Sequence, residues 1–321
     1  MNIWLWGVVG VVAVGGAIWA FGPREPVVTD IRFDSSQLDG GVDAWLARQE
    51  ARFDDIGPNE EKRVIWAGAP ETPAPWAVVY IHGFSASSEE LRPLPDIVAQ
   101  GLEANIVLTR LAGHGRDGAA MAEATAEAWM TDVAEALAVA HRIGERVLVI
   151  SCSTGGTLTA LALSEEMGQN IDGAIFFSPN FKVKASSATF LTWPFARHWL
   201  RYVAGEERSW EPASEDHGRY WTSRYPIEAL LPMGAVVKAA RRLDYAAMKT
   251  PALFIFDPED QTVDHGRTRE VAADWGAASE IHEAHVGPGD DPGHHVIAGR
   301  IVSPGMTGPL AAKALAWAQN L

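Results

Sequence analysis

Residues 147–156 read VLVISCSTGG, four aliphatic residues followed at once by small and polar ones. A helical pattern then runs from Thr157 to Met167. A buried strand, a tight turn and a helix in direct succession are the local structure of a nucleophile elbow. The turn projects its central residue over the end of the sheet, and the helix N-terminus behind it favours a developing negative charge. We therefore predict that Ser153 is a nucleophile.

Two neighbours of Ser153 compete with it. Ser151 occupies the position where the usual pattern, Gly-x-Ser-x-Gly, has its first glycine, but it ends the strand and is not at the apex of the turn. Cys152 is the only cysteine of the chain, so no intramolecular disulfide can form. It stands one residue before the apex, and we expect it to be a buried packing residue.

A second loop offers donors for a reaction at Ser153. The apolar run 77–81 is followed by His82, Gly83 and Phe84. Acyl transfer builds an oxyanion, which fixed N–H donors stabilise. We predict that the backbone N–H groups of Phe84 and Thr154 form this oxyanion hole, while His82 braces the loop through hydrogen bonds.

Candidates for an acid and a base lie further along the chain. An acidic turn follows a predicted strand, and Asp260 is its first candidate, ahead of Asp257 and Glu259. A carboxylate just past a strand is well placed to orient an imidazole. Two adjacent histidines, His294 and His295, come next, which gives the order nucleophile, acid, histidine. The residues alone leave the choice within each pair open.

A metal site is the rival interpretation of the segment 282–295, which is rich in His, Asp and Glu. The run His-Glu-Ala-His at 282–285 does not have the spacing of the helical zinc motif. In a strand, His282 and His285 would also point to opposite faces. We therefore expect neither a metal nor a cofactor.

The chain alternates strand and helix patterns from about residue 63 onwards. Such alternation predicts an α/β fold with a mainly parallel central sheet flanked by helices. The predicted strands are 63–67, 77–81, 105–110, 146–151, 173–178, 252–256 and 279–285. The predicted helices are 87–101, 121–143, 155–168, 266–275 and 307–320.

The chain outside this alternation divides into three predicted parts. Residues 1–22 form an N-terminal helix, and 23–62 are a connector with one short helix at 42–53. The long aromatic segment between two strands is predicted to be an inserted helical cap over 181–245, because a structureless loop of that length is unusual in a compact domain.

The apolar run 3–21 is predicted to be a membrane anchor. As a helix it would span roughly 28 Å, close to the thickness of a bilayer core of about 30 Å. Tryptophans lie at both ends, and Gly-Pro at 22–23 ends the run. This predicts a location at a bacterial inner membrane, on an undetermined side. A cleaved signal peptide and a buried core helix are the alternatives.

Composition excludes one class of partner. The chain has 321 residues and a formal net charge of -15. Nucleic-acid binding needs a basic surface, so nucleic acid is not an expected partner.

Taken together, the motifs carry a family resemblance. The motifs are His82-Gly83-Phe84, Leu111 to Gly115, Ser151-x-Ser153-x-Gly155-Gly156, the turn at Asp260 and His295-Val296. They resemble the α/β-hydrolase superfamily, and most closely its bacterial carboxylesterases and monoacylglycerol-lipase-like serine hydrolases. The resemblance covers residues 63–321.

This resemblance implies the fold and the roles of the site residues. The family's base is the histidine directly before a valine, which points to His295, and its acid stands at the position of Asp260. It implies hydrolysis of carboxylic esters with an apolar acyl group, through an acyl-enzyme on Ser153. The alternatives are a peptidase, an acyltransferase or a perhydrolase on the same scaffold, or a non-catalytic, membrane-tethered binding protein.

Overall fold

The computed structural model describes residues 3–321 and contains a seven-stranded sheet covered by helices. The strands of the described residues are β1 (Arg63–Ile65), β2 (Ala74–Ile81), β3 (Ala104–Leu108), β4 (Gly144–Cys152), β5 (Gly173–Phe177), β6 (Glu207–Ser209), β7 (Arg224–Pro226), β8 (Ala252–Phe256) and β9 (Ser279–Glu283). The sheet order is β1-β3-β2-β4-β5-β8-β9. Within this seven-stranded sheet, β1 and β3 pair antiparallel and all other neighbours are parallel. Strands β6 and β7 form a separate, two-stranded antiparallel sheet. The predicted α/β fold is confirmed.

Helices pack on both faces of this sheet. The helices of the described residues are α1 (Ile3–Phe21), α2 (Val42–Glu50), α3 (Leu94–Gly101), α4 (Gly118–Glu123), α5 (Ala126–Ile143), α6 (Thr154–Leu163), α7 (Ala196–Ala204), α8 (Glu215–Tyr220), α9 (Leu230–Ala240), α10 (His265–Asp274) and α11 (Pro304–Ala318). Because β3, β5 and β8 are covered on both faces, all their residues are buried and nearly all are apolar. At the sheet edge, β9 instead alternates between exposed and half-buried residues.

The parallel strands bring the functional loops to one edge of the sheet. Strands β2, β4, β5 and β8 are adjacent and parallel, so their carboxyl ends lie side by side. Ligands of open α/β sheets bind in the crevice at this edge. The loops after β2, β4 and β8 contain the predicted oxyanion loop, nucleophile and acid.

Two predicted helices differ from the structure. The predicted helix 87–101 begins only at Leu94, after a series of turns, and Pro93 precedes it. The predicted helix 121–143 is two helices, α4 and α5. The Thr125 side chain caps the second by accepting a hydrogen bond from Ala128 N.

The chain between β5 and β8 carries α7, α8, α9 and the β6–β7 pair. This segment contacts the loop after β2, where Thr222 N donates to Ser85 O over 2.8 Å. Its first residues also pair with the loop after β8, through a bridge between Val183 and Val263. The boundaries 63–321 and 181–245 stay predictions.

The N-terminal helix α1 ends against the segment between β5 and β8. Phe195 N donates to Pro23 O over 2.7 Å, and the ring centroids of Trp19 and Trp193 are 5.2 Å apart. Arg197 forms an ion pair of 2.8 Å with Glu25. The end of the helix is therefore tied to the folded body.

The predicted membrane anchor at 3–21 is wrong. Among residues 3–321, no helix has both the length and the apolarity needed to cross a membrane. The predicted membrane partner and the predicted inner-membrane location rested on this anchor and are therefore wrong as well. Residues 12–21 are exposed, which also excludes a buried core helix. The predicted signal peptide stays a prediction.

The connector 23–62 joins the sheet through buried charges. Its helix α2 ends at Glu50, earlier than the predicted 42–53, and the Glu50 carboxylate forms a two-pronged pair with Arg110 at 2.7 and 2.8 Å. Both side chains are almost fully buried, so leaving either charge alone would be strongly destabilising.

Candidate active site

Ser153 lies at the apex of a strained turn between β4 and α6. Its backbone angles, φ 49° and ψ −115°, are ones that non-glycine residues rarely adopt. Hydrogen bonds of 2.9 Å from Ser153 N to Phe177 O and from Asn180 N to Ser153 O hold the turn. A side chain at Gly155 would lie 2.2 Å from Ile81 O, which explains the glycine there. The structure thus has the geometry of an elbow.

Two hydrogen bonds connect Ser153 to a half-buried histidine and, through it, to a buried carboxylate. His295 Nε2 is 2.9 Å from Ser153 Oγ, and His295 Nδ1 is 2.7 Å from Asp260 Oδ2. Donation from Nδ1 to the carboxylate leaves Nε2 free to accept the serine proton. The structure therefore brings together the three residues that the sequence paired as nucleophile, base and acid.

Asp260 is fully buried but well supplied with donors. Its Oδ1 accepts hydrogen bonds from Thr262 N at 2.6 Å and Val263 N at 2.9 Å. Burial alone would raise the pKa of this carboxyl, but His295, His265 and the backbone N–H of Val263 lower it below its ordinary value. Asp260 is thus kept ionised beside the imidazole.

The backbone of His295 is also fixed by hydrogen bonds. Asp291 Oδ2 accepts from His295 N at 2.9 Å and from Val296 N at 2.8 Å. Burial lowers the pKa of His295, but the carboxylates of Asp260 and Glu90 outweigh it, so the net shift is upward. The site therefore favours the imidazolium that forms when His295 takes a proton.

The other candidates do not reach Ser153. His294 Nδ1 contacts Asp257 Oδ2 at 2.9 Å and forms a separate pair. Ser151 is buried, and its hydroxyl lies 3.4 Å from Ile175 O. Cys152 is a buried free thiol whose pKa is raised by burial, as a packing residue would be.

The loop after β2 lies against Ser153. A Cβ added to Gly83 would be 3.2 Å from Ser153 Cβ, so only glycine allows this approach. The neutral His82 ring braces the loop, because its Nδ1 lies 2.8 Å from Gly83 O and its Nε2 accepts from Leu111 N at 3.1 Å. Within residues 3–321, the backbone N–H groups of Phe84 and Thr154 donate no hydrogen bond and are available to a ligand.

An apolar cluster covers this loop. The Phe84 and Tyr225 rings meet edge to face at 5.3 Å. The other members are Met121, Ala122, Ala229 and Leu230. Most of this cluster comes from α4 and from the segment between β5 and β8, so Phe84 has apolar surroundings.

Sequence reasoning missed one residue at the site, Glu90. It is 2% exposed, and Oε2 of its carboxylate accepts from Gly83 N and from the Tyr80 hydroxyl, both at 2.8 Å. No sequence signal marks it, because Ser-Ser-Glu-Glu at 87–90 resembles the exposed start of a helix. In the described chain, residues 3–321, no three His, Cys, Asp or Glu side chains form a metal-binding group.

Comparisons with known proteins show the family of this chain. The family model described as serine aminopeptidase, S33, matches residues 72–287, about two thirds of the chain. A thermostable monoacylglycerol lipase of Bacillus sp. (strain H-257) is 32% identical over 85 residues, which cover 26% of this chain and 34% of that protein. The chain thus spans only about a third of the length of this curated relative.

Solved structures with the same fold include lipolytic enzymes. A structure of the metagenome-derived lipolytic enzymes LipS and LipT has a TM-score of 0.65 at 20% identity, covering 83% of this chain and 100% of that one. A soluble variant of monoglyceride lipase from Saccharomyces cerevisiae has a TM-score of 0.59 at 10% identity, covering 83% and 96%. At these identities the likeness shows the fold alone. With its sheet, its elbow and the matched family model, the chain belongs to the serine aminopeptidase S33 family of the α/β-hydrolase superfamily.

Proposed function

We propose that this protein is a serine hydrolase that cleaves carboxylic esters with an apolar acyl group, in the manner of a monoacylglycerol lipase or carboxylesterase. The observation that carries the proposal is the continuous hydrogen-bonded series Asp260, His295, Ser153, with contacts of 2.7 and 2.9 Å. The family supports hydrolysis, and the lipolytic relatives support an ester as the substrate.

The reaction proceeds in two steps. Ser153 Oγ attacks the ester carbonyl while His295 Nε2 takes its proton, and Asp260 stabilises the resulting imidazolium. The N–H groups of Phe84 and Thr154 donate to the oxyanion. His295 then protonates the leaving alcohol, and a water activated by the same imidazole hydrolyses the acyl-enzyme.

The apolar cluster around Phe84 supports an apolar acyl group. Tyr225 and Leu230 pack beside Phe84, which follows Gly83 in the loop next to Ser153. Apolar side chains beside a reacting group bind apolar chains and exclude water. Lengthening the acyl chain should therefore lower KM until this wall is filled.

The test is hydrolysis of a short p-nitrophenyl ester by Ser153→Ala. We expect kcat to fall by a factor of about 10⁴ or more, since the nucleophile is lost. Ser151→Ala is the matched control, because it removes a serine two residues away that does not face His295. Near-wild-type hydrolysis by Ser153→Ala would refute the proposal.

Peptide hydrolysis is the second candidate, favoured by the description of the matched family as serine aminopeptidase. The same three residues would attack an amide, so the substrate distinguishes the two reactions. A panel of monoacylglycerols and aminoacyl p-nitroanilides decides between them. We expect kcat/KM on the esters to exceed that on the anilides by at least about 100-fold, and the reverse ratio would favour the peptidase.

A further inference from the structure

Glu90 is a buried carboxylate that the proposed reaction does not use. It follows β2 by nine residues and is folded back so that its side chain points beneath the loop containing Gly83. Its oxygen Oε1 would lie 2.7 Å from a Cβ on Gly83, and the same Cβ would lie 3.2 Å from Ser153 Cβ. Glu90 and Ser153 therefore both approach Gly83 on the side where a side chain would project.

The partners of Glu90 are all donors. Gly83 N–H and the Tyr80 hydroxyl donate to its Oε2, over 2.8 Å each. A neutral carboxyl would need an acceptor for its own proton, whereas a carboxylate only accepts, as Glu90 does from these two donors. Burial raises the pKa of Glu90 above its ordinary value, and the Gly83 N–H, the Tyr80 hydroxyl and His295 offset only part of the rise.

Three carboxylates lie around His295. Asp260 contacts Nδ1 and Asp291 binds the backbone, while Glu90 lies on the side of the loop containing Gly83. Near the acid, His265 Nε2 lies 3.3 Å from Asp260 Oδ2, and Lys184 Nζ donates to Asp260 O over 2.6 Å. An anion on a second side of the imidazole favours its protonated form.

We infer that Glu90 is a positioning residue of the active site: it fixes the Gly83 peptide, so that the Phe84 N–H faces the oxyanion, and it is a second anion that stabilises protonated His295. This inference rests on the proposed hydrolysis. It predicts two separable effects, one on kcat through the loop and one on the pH at which His295 titrates.

Two substitutions separate these effects in the ester assay. Glu90→Gln keeps an oxygen that can accept from Gly83 N–H but removes the charge, so the acidic midpoint of kcat/KM should move down by about 0.5–1 pH unit. Glu90→Ala also removes the acceptor, so its kcat should fall by a further factor of about 10–100 with KM nearly unchanged.

Glu89→Gln is the matched control. Glu89 is an equally buried carboxylate whose oxygens pair with Arg92 at 2.7 Å and Arg300 at 2.9 Å, away from Gly83. Its loss should lower the unfolding midpoint but leave the acidic midpoint of kcat/KM within about 0.2 pH unit of wild type. A purely structural role for Glu90 would make the two variants behave alike.

The outcomes decide as follows. An acidic midpoint in Glu90→Gln within 0.2 pH unit of wild type, or a kcat in Glu90→Ala within twofold of Glu90→Gln, would overturn the inference. If the glutamine variant does not fold, Glu90→Asp replaces it. The aspartate keeps the charge but withdraws from Gly83, so kcat should fall about tenfold at an unchanged midpoint, and a kcat within twofold of wild type would overturn the inference.

The same assay separates this inference from the proposed function. An inactive wild-type enzyme, or an active Ser153→Ala variant, would contradict ester hydrolysis itself. The enzyme could instead depend on Ser153 for activity while the Glu90 variants keep the wild-type acidic midpoint and kcat. That result would contradict only the role of Glu90.

Discussion

Two His–Asp pairs lie side by side in this molecule, and only one of them faces a serine. His295–Asp260 and His294–Asp257 have similar N–O distances, 2.7 and 2.9 Å. The second nitrogen of His295 is 2.9 Å from Ser153 Oγ, whereas that of His294 lies 3.9 Å from Glu259. A hydrogen bond between a histidine and an aspartate is therefore not enough to identify a catalytic base. The direction of its second nitrogen distinguishes the pair that we propose to be catalytic from the other one.

Electrostatics does not separate the two pairs. In both, the pKa of the histidine is raised and that of the aspartate is lowered. For His294 the main cause is the hydrogen bond to Asp257, whereas for His295 the carboxylates must first overcome desolvation. The comparison must be tested by activity.

The histidines provide the largest expected contrast. His295→Ala removes the proposed base, so kcat should fall by a factor of about 10⁴ or more. His294→Ala leaves the Ser153 contact in place and should change kcat by less than about tenfold. The measurement is steady-state hydrolysis of a p-nitrophenyl ester by folded variants, checked by circular dichroism. An equal loss of kcat in both variants would contradict the different roles given to His295 and His294.

Substituting the two aspartates should give a smaller difference in kcat than substituting the two histidines. Asp260→Asn keeps the shape but disfavours the required imidazole tautomer, so kcat should fall by a factor of about 10³–10⁴. Asp257→Asn should cost less than about tenfold, because Asp257 also accepts from Val286 N and mainly fixes the loops. If Asp257→Asn proves the more damaging variant in the same assay, the acid has been misassigned.

The smallest effect concerns the support of Asp260. Lys184 Nζ donates to Asp260 O over 2.6 Å, from the chain segment that leaves β5. Lys184→Met should lower kcat by about three- to tenfold, since the turn loses one charge-assisted hydrogen bond. Lys182→Met is its control, because Lys182 pairs with the partly exposed Asp264 instead. Identical kcat values for the two variants would show that this bond does not position Asp260.

Local patterns were enough to predict much of this arrangement. The strand Ala252–Phe256 has the predicted bounds, because a short apolar run between turns marks a covered strand. The order of Ser153, Asp260 and His295 along the chain pointed to residues that the fold brings within hydrogen-bond distance. The choice of His295 over His294 needed the resemblance, since both follow the same strand.

The errors have tertiary causes. Residues 87–93 look helical in sequence, but the chain there turns so that Glu90 reaches Gly83, a contact no local pattern contains. The apolar run 3–21 suggested a membrane span, but the residues directly after it, Pro23 and Glu25, contact Phe195 and Arg197, which are distant in sequence. Such contacts depend on which surfaces the fold brings together.

The most direct test of the central claim is the site of covalent labelling by a fluorophosphonate. Peptide mapping by mass spectrometry should find one adduct per chain, on Ser153, with no adduct on Ser151 or Cys152. Labelling should vanish in Ser153→Ala and be slowed far more by His295→Ala than by His294→Ala. An adduct on another residue, or a Ser153→Ala variant labelled at the wild-type rate, would contradict the account.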